Sequence, residues 1–301
     1  MRKTAIEGII VPIVTPMDER GEVDLKELER QCDRMVECGI DGIFAFGTNG
    51  EGYILSYEEK EAVLSTVISR VAGRVPVYAG TGAVSTAEAV RTSRMAERLG
   101  ADVLSVITPS FAKASQDELY EYYRTVAGST SLPVVLYNIP ARTGNSLSPK
   151  TVARLAGIDN IAGAKDSSGD FSNILSYIQE TGKVRDDFAI LSGNDRLIIW
   201  TLIAGGRGGI AGCANVYPRT LASIYDLYKA GRQSEAIAVN ESLSAFRSLF
   251  ALGNPNTIVK KAVQLLGYEV GECRAPFNLL SGEAVEKIRA TLEADKARGM
   301  D

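Results

Sequence analysis

The sequence predicts a (β/α)8 barrel with a C-terminal helical extension, on three observations. Short, almost continuously apolar runs recur along the chain, as expected of parallel strands buried on both faces. A helical pattern follows each run. Four helix starts carry capping boxes, Asp24 with Glu27 (the aspartate a variant), Ser56 with Glu59, Ser85 with Glu88 and Ser115 with Glu118, and these starts fall 32, 29 and 30 residues apart.

Taken in order, the runs cover residues 8–16, 42–48, 75–81, 102–108, 132–139, 160–165, 188–192 and 208–214. Ser148-Pro149 marks a further helix start, with proline at the first helical position. Eight strand–helix units of this length suggest a closed barrel. An open doubly wound sheet is the alternative fold, but no GxGxxG turn follows the first run. Past the eighth unit the chain stays helical, over 219–229, 234–251, 257–266 and 283–298. The expected division is a catalytic barrel over 1–230 and a helical domain over 231–301 that caps or oligomerises.

Composition narrows the function. Of 301 residues, 45% are hydrophobic and 23% charged, which suffices for one large core. The net charge is −4 and no basic stripe interleaves with aromatics, so no nucleic-acid partner is expected. The apolar stretch 9–14 is broken by Pro12 and is too short to span a membrane or serve as a secretory signal. The chain reads as soluble and cytoplasmic. Cys32, Cys38, Cys213 and Cys273 form no CxxC pair and read as buried thiols of a reducing compartment. There is no histidine. That excludes Ser-His-Asp and Cys-His nucleophiles, a His-ligated zinc and the usual acid–base group near neutral pH. Lysine, tyrosine, carboxylates or an all-oxygen metal site must carry any chemistry.

In a barrel, reactive groups come from the C-terminal ends of the strands. One lysine and one tyrosine stand there among small and polar residues. Lys165 ends the run 161–165, where alternation puts Ile161, Gly163 and Lys165 on one face, Gly163 leaving space beside the lysine stem and Asp166 pointing the other way. A Schiff base needs a neutral amine. An ordinary lysine is only about 0.04% neutral at pH 7, so such a residue must be desolvated. The alternative is a lysine that snorkels from a strand end to solvent. Tyr137 ends the stretch 133–137 within the preceding run. Barrel strands lie about 4.8 Å apart, so its phenol could relay protons at a lysine-bound substrate; the alternative is a core aromatic with a satisfied hydroxyl. Gly47-Thr48-Asn49-Gly50-Glu51-Gly52 after the second run could offer backbone N–H groups and the Thr48 hydroxyl to a carboxylate, or simply turn the chain. Arg142, just past Tyr137, could hold a second carboxylate, or form a surface ion pair.

Along nearly its whole length the chain resembles the dihydrodipicolinate synthase / N-acetylneuraminate lyase family. The matching pieces are Gly47-Thr48-Asn49-Gly50-Glu51, Tyr137-Asn138-Ile139-Pro140 with Arg142-Thr143-Gly144, Gly163-Ala164-Lys165-Asp166, Ser192-Gly193-Asn194-Asp195, and Gly209-Ile210 with Ala214-Asn215-Val216. The resemblance implies a cofactor-free, metal-independent class I aldolase, a homotetramer or homodimer, acting on small molecules: pyruvate or another 2-keto acid, and an aldehyde. It implies Lys165 as Schiff-base nucleophile and Tyr137 as proton relay. Thr48 and the Asn49 backbone would bind the keto-acid carboxylate, Arg142 the incoming substrate, and Gly193 and Ile210 would line the pocket through their carbonyls.

Three departures from the synthase pattern stand out. Asn49 stands where it has a second threonine. Pro109-Ser110-Phe111 replaces its Pro-Tyr-Tyr, whose second tyrosine crosses from a neighbouring subunit to complete a proton relay; Phe111 has no hydroxyl to do so. Its lysine-feedback site reads here as Gly52, Tyr53, Tyr57, Val84 and Ser110, with only Glu88 kept, so no lysine feedback is expected. Arg142 nevertheless sides with the synthase branch, whereas Asn194-Asp195 suit sugar hydroxyls. The expected function is a pyruvate-dependent C–C lyase that condenses pyruvate with an aldehyde. The alternatives are a 2-keto-3-deoxy-sugar-acid aldolase or dehydratase, a neuraminate-type lyase, and a barrel that binds a keto acid without turnover.

Overall fold

The computed structural model describes residues 4–301. Eight parallel strands close into a barrel in chain order: β1 (Gly8–Pro12), β2 (Gly42–Ala45), β3 (Val77–Gly80), β4 (Val103–Ile107), β5 (Val134–Asn138), β6 (Ile161–Asp166), β7 (Ala189–Ser192) and β8 (Gly208–Ile210). Closure excludes the open-sheet alternative. Each predicted run coincides with a strand; most strands are shorter than their run, and β6 reaches one residue past its run, to Asp166. Some ends have a visible cause. β2 stops where Phe46 turns left-handed, φ 40°. After β1, Ile13, Val14 and Thr15 stay buried, but the Val14 N–H turns to the Asn215 side chain at 2.9 Å. Past β8, a 3-10 turn over Gly212–Asn215 replaces the rest of the eighth run.

The helices are α1 (Leu25–Glu37), α2 (Tyr57–Val71), α3 (Thr86–Leu99), α4 (Gln116–Ala127), α5 (Pro140–Thr143), α6 (Pro149–Ala156), α7 (Phe171–Gly182), α8 (Ile198–Ile203), α9 (Pro218–Lys229), α10 (Gln233–Ser242), α11 (Ser244–Ser248), α12 (Pro255–Leu265) and α13 (Gly282–Ala297). Asp24, Ser56, Ser85 and Ser115 each cap a helix by accepting the backbone N–H three residues on. The reciprocal glutamate bond forms at Ser56 and Ser115. At Ser85 only the cap is seen, and Glu27 accepts from Gln31 at 2.7 Å and Arg30 at 3.0 Å, so at Asp24 too the predicted box is only a cap. The single helix expected over 234–251 is divided into α10, α11 and a 3-10 turn, with Phe246 set edge-to-face on Tyr217 at 5.3 Å. No local residue marks that break.

The chain forms two compact units. One holds Pro76–Ile210 with Gly8 and the described residues before it, and so contains β3 to β8 and α3 to α8. Its core is built from Val103, Leu104, Val134, Leu136, Ile161, Ile190 and Leu191, all at most 2% exposed. Between β5 and β6 the register slips: Val134 pairs with Ile161 but Val135 with Gly163, so Ala162 is an extra residue. Gly163 lies opposite Ala189, and a Cβ there would sit 2.6 Å from the Ala189 carbonyl oxygen. The glycine therefore permits close approach of β7. It does not leave empty space beside the lysine, as its place in the sequence suggested.

The other unit holds Ile9–Val75 and Ala211–Asp301. Here α1 buries Leu28, Cys32 and Met35, α2 buries Val63, Leu64, Val67 and Val71, and α12 buries Ile258, Val259, Ala262 and Val263. Asp33 on α1 takes both Arg70 and Arg74 of the α2 end, and these guanidinium groups hold its carboxyl below the usual range. Cys32 and Cys273 are buried, and burial pushes both thiols up to about 12. Cys213 is also buried, whereas Cys38 is half-buried. Among the described residues, no helix is long and apolar enough to cross a membrane.

Candidate active site

β5 and β6 run side by side with Tyr137 opposite Lys165 and Asn138 opposite Asp166. Side chains alternate along a strand, so the first two share one face and the last two the other. Lys165 and Tyr137 are 4% and 3% exposed. The Lys165 Nζ lies 3.9 Å from the centroid of the Tyr137 ring. The amine therefore sits over the electron-rich face of the ring.

The room for the lysine stem comes from Gly193, just past β7. A Cβ on Gly193 would fall 1.8 Å from the Ser167 Oγ and 2.7 Å from the Lys165 Cε. Neither neighbour can stay in place if that carbon is added. Gly193→Ala is expected to keep the fold, because the position is half-buried at a strand end, and to lower kcat/KM by about 100-fold through displacement of the amine. Steady-state kinetics beside a thermal melt checks this. Wild-type kinetics would show that the stem has room to spare.

Behind the reactive face, Asp166 accepts hydrogen bonds from Asn138 Nδ2 at 2.6 Å, Ser168 Oγ at 2.5 Å and Asn173 Nδ2 at 3.1 Å. Asn138 Oδ1 in turn accepts the Leu147 N–H at 3.0 Å. Burial raises the Asp166 carboxyl above its ordinary range, against the pull of these donors. The network ties the ends of β5 and β6 one residue past Tyr137 and Lys165. The sequence reading sent Asp166 to the far face but missed the network; the signal that could have found it is strand register.

Arg142 lies exposed on α5, the short helix after β5, above a buried Thr143 that bonds to Thr108 at 2.9 Å. Ile210 ends β8 and is 1% exposed. After β4, the Asn145 side chain donates to the carbonyls of Pro109 and Ala112 at 2.9 and 2.8 Å and accepts the Ala114 N–H at 2.8 Å. Inside this clamp Phe111 adopts φ 78° and is fully exposed.

In the second unit, Thr48 and Asn49 follow β2 and are half-buried. The Thr48 carbonyl accepts from Asn256 Nδ2 at 2.7 Å and from the Glu51 N–H at 3.2 Å. The Asn49 amide lies against Gly212, where a Cβ would come within 3.3 Å of its oxygen. Glu51 and Lys260 form an ion pair of 2.8 Å at 0% and 1% exposure. Neither was singled out from the sequence, although a lysine among the apolar positions of α12 is a detectable anomaly.

The barrel thus sets a buried lysine over a tyrosine at the ends of β6 and β5. A model described as the dihydrodipicolinate synthetase family matches residues 5–295. The chain belongs to the dihydrodipicolinate synthetase family. As a member of it, the protein is a lyase of the class I aldolase type. A protein of Laribacter hongkongensis named 4-hydroxy-tetrahydrodipicolinate synthase is 39% identical over 290 residues, covering 96% of this chain and 98% of that one. The chloride-inhibited dihydrodipicolinate synthase of Acinetobacter baumannii, solved with pyruvate, superposes with a TM-score of 0.93 at 34% identity over 99% of this chain and all of that one. YagE, a prophage protein of the family from E. coli K12 also solved with pyruvate, gives 0.93 at 31% identity, covering 97% of this chain and 99% of that one. Dihydrodipicolinate synthetase family membership thus rests on sequence and fold over nearly the whole chain.

Proposed function

We propose that Lys165 forms a Schiff base with pyruvate and that the enzyme joins the resulting enamine to an aldehyde. The observation that carries this reading is the buried Lys165 amine, 3.9 Å from the Tyr137 ring, on a stem that only glycine at position 193 accommodates. The amine adds to the C2 carbonyl of pyruvate, and the carbinolamine loses water to give the imine. A proton leaves C3 to give the enamine, whose C3 attacks the aldehyde carbon while the aldehyde oxygen takes up a proton. Water returns to release the product and the free amine. Tyr137 is the group that moves protons at the adduct. Thr48, with the Asn49 backbone, takes the keto-acid carboxylate. The carbonyls of Gly193 and Ile210 line the pocket.

Arg142 takes the carboxylate of the second substrate, and the reading that follows is a 4-hydroxy-tetrahydrodipicolinate synthase-like condensation. Relatives of that name support it. A second reading, cleavage or dehydration of 2-keto-3-deoxy sugar acids, is favoured by Phe111, which lacks the relay hydroxyl, and by Asn194-Asp195. The two separate in one assay series. Turnover of aspartate semialdehyde with pyruvate supports the first, and release of pyruvate from keto-deoxy sugar acids supports the second. Ligand-dependent thermal stabilisation without turnover of either would support a binding role instead.

The same proposal includes a homotetramer or homodimer in the cytoplasm. Association would cover Phe111, a fully exposed aromatic in a left-handed conformation on the loop that Asn145 pins. The division into a barrel, 1–230, and a helical domain, 231–301, also stands as part of this proposal.

A further inference from the structure

The loop after β2 carries two uncommon features that the reaction above does not use. Glu51 has φ 56°, a left-handed conformation that side chains other than glycine rarely adopt. Its carboxylate is 0% exposed and paired with Lys260, itself 1% exposed. Burying two charges is costly unless every polar atom is met, and here they are met. Lys260 Nζ donates to Glu51 Oε1 at 2.8 Å and to the Glu272 carbonyl at 2.9 Å, and the Arg274 N–H donates to Glu51 Oε2 at 2.8 Å. Strain and buried charge are thus gathered at one short loop, as they are at functional sites.

The same helix grips the loop a second time. Asn256, four residues before Lys260 on α12 and therefore on the same face, donates to the Thr48 carbonyl at 2.7 Å. From the other side Thr15 Oγ1 donates to the Gly50 carbonyl at 2.7 Å. There is no slack in the turn: a Cβ on Gly52 would lie 1.9 Å from the Phe46 carbonyl oxygen, and one on Gly50 2.8 Å from that of Ile13. Every fixed point bears on residues 48–52.

We propose that the Glu51–Lys260 pair and Asn256 are positioning residues: helix α12 holds the Thr48 loop in the conformation that receives the keto-acid carboxylate. The inference rests on the assignment of Thr48 to that carboxylate. It gives part of the C-terminal helical segment a role in substrate affinity as well as in stability.

The test uses the full-length chain and reads borohydride trapping of pyruvate on Lys165 against pyruvate concentration, with kcat measured alongside. Glu51→Gln/Lys260→Met removes both charges with little change of shape, and Asn256→Ala removes the bond to Thr48. Thr48→Ala is the benchmark. The expected result is that half-saturating pyruvate rises by about tenfold in the double variant and in Asn256→Ala, in the same direction as in Thr48→Ala, while the amount trapped at saturation in the first two stays at the wild-type level. A role in stability alone would lower the melting temperature and leave half-saturation unchanged, and that result in Asn256→Ala overturns the proposal even if the double variant does not fold. A Thr48→Ala chain with wild-type half-saturation removes the carboxylate assignment beneath it and overturns the proposal too. Absence of trapping in the wild-type chain marks instead the failure of the pyruvate reading, and takes this inference with it.

Discussion

Lys165→Met is expected to abolish turnover, lowering kcat/KM by about 10,000-fold or more, as loss of a covalent nucleophile does. Methionine nearly matches the lysine stem in length, so the space beside Gly193 stays filled and the fold is retained. The variant should melt at or above the wild-type temperature, because a buried amine is replaced by an apolar group. Lys165→Arg gives the complementary control. It keeps a cation near the Tyr137 ring but forms no imine with a keto acid, and it should be equally inactive. Steady-state assays with a melt for each variant check both. Residual activity above a few per cent in Lys165→Met would mean that another group carries the chemistry.

Tyr137→Phe is expected to lower kcat by about 100- to 10,000-fold, the range for loss of a positioned acid–base group. The ring that faces the Lys165 amine at 3.9 Å remains, so packing and imine-forming geometry are retained. Only the hydroxyl is lost. Half-saturating pyruvate for trapping should therefore move much less than kcat, and this split separates proton relay from a packing role. A kcat within a few-fold of wild type would make Tyr137 a core aromatic with no part in the reaction.

Much of this site was legible because barrel geometry converts one-dimensional position into three-dimensional location. Lys165 is the last residue of one apolar run and Tyr137 lies near the end of the run before it, and strand register places them opposite each other. The ends of the runs were less legible, since Ile13–Thr15 are as apolar or buried as a strand without being one. Gly163 shows a limit of the same kind. A glycine beside a lysine suggests room, but which strand takes that room depends on the bulge at Ala162, and nothing in 161–165 announces a bulge. Gly193 supplies the room from 28 residues away. The two buried polar assemblies were harder still. Asp166 meets Asn138 only because β5 and β6 pair in one register, and Glu51 meets Lys260 across 209 residues. Patterning reports which face of a helix or strand is buried. It does not report which distant charge completes a buried pair.

Incubation with excess pyruvate and borohydride, followed by peptide mass spectrometry of the folded protein, tests the central claim most directly. The account predicts a reduced pyruvate adduct on Lys165 and on no other lysine. A folded chain that carries no adduct at Lys165 under saturating pyruvate would contradict it.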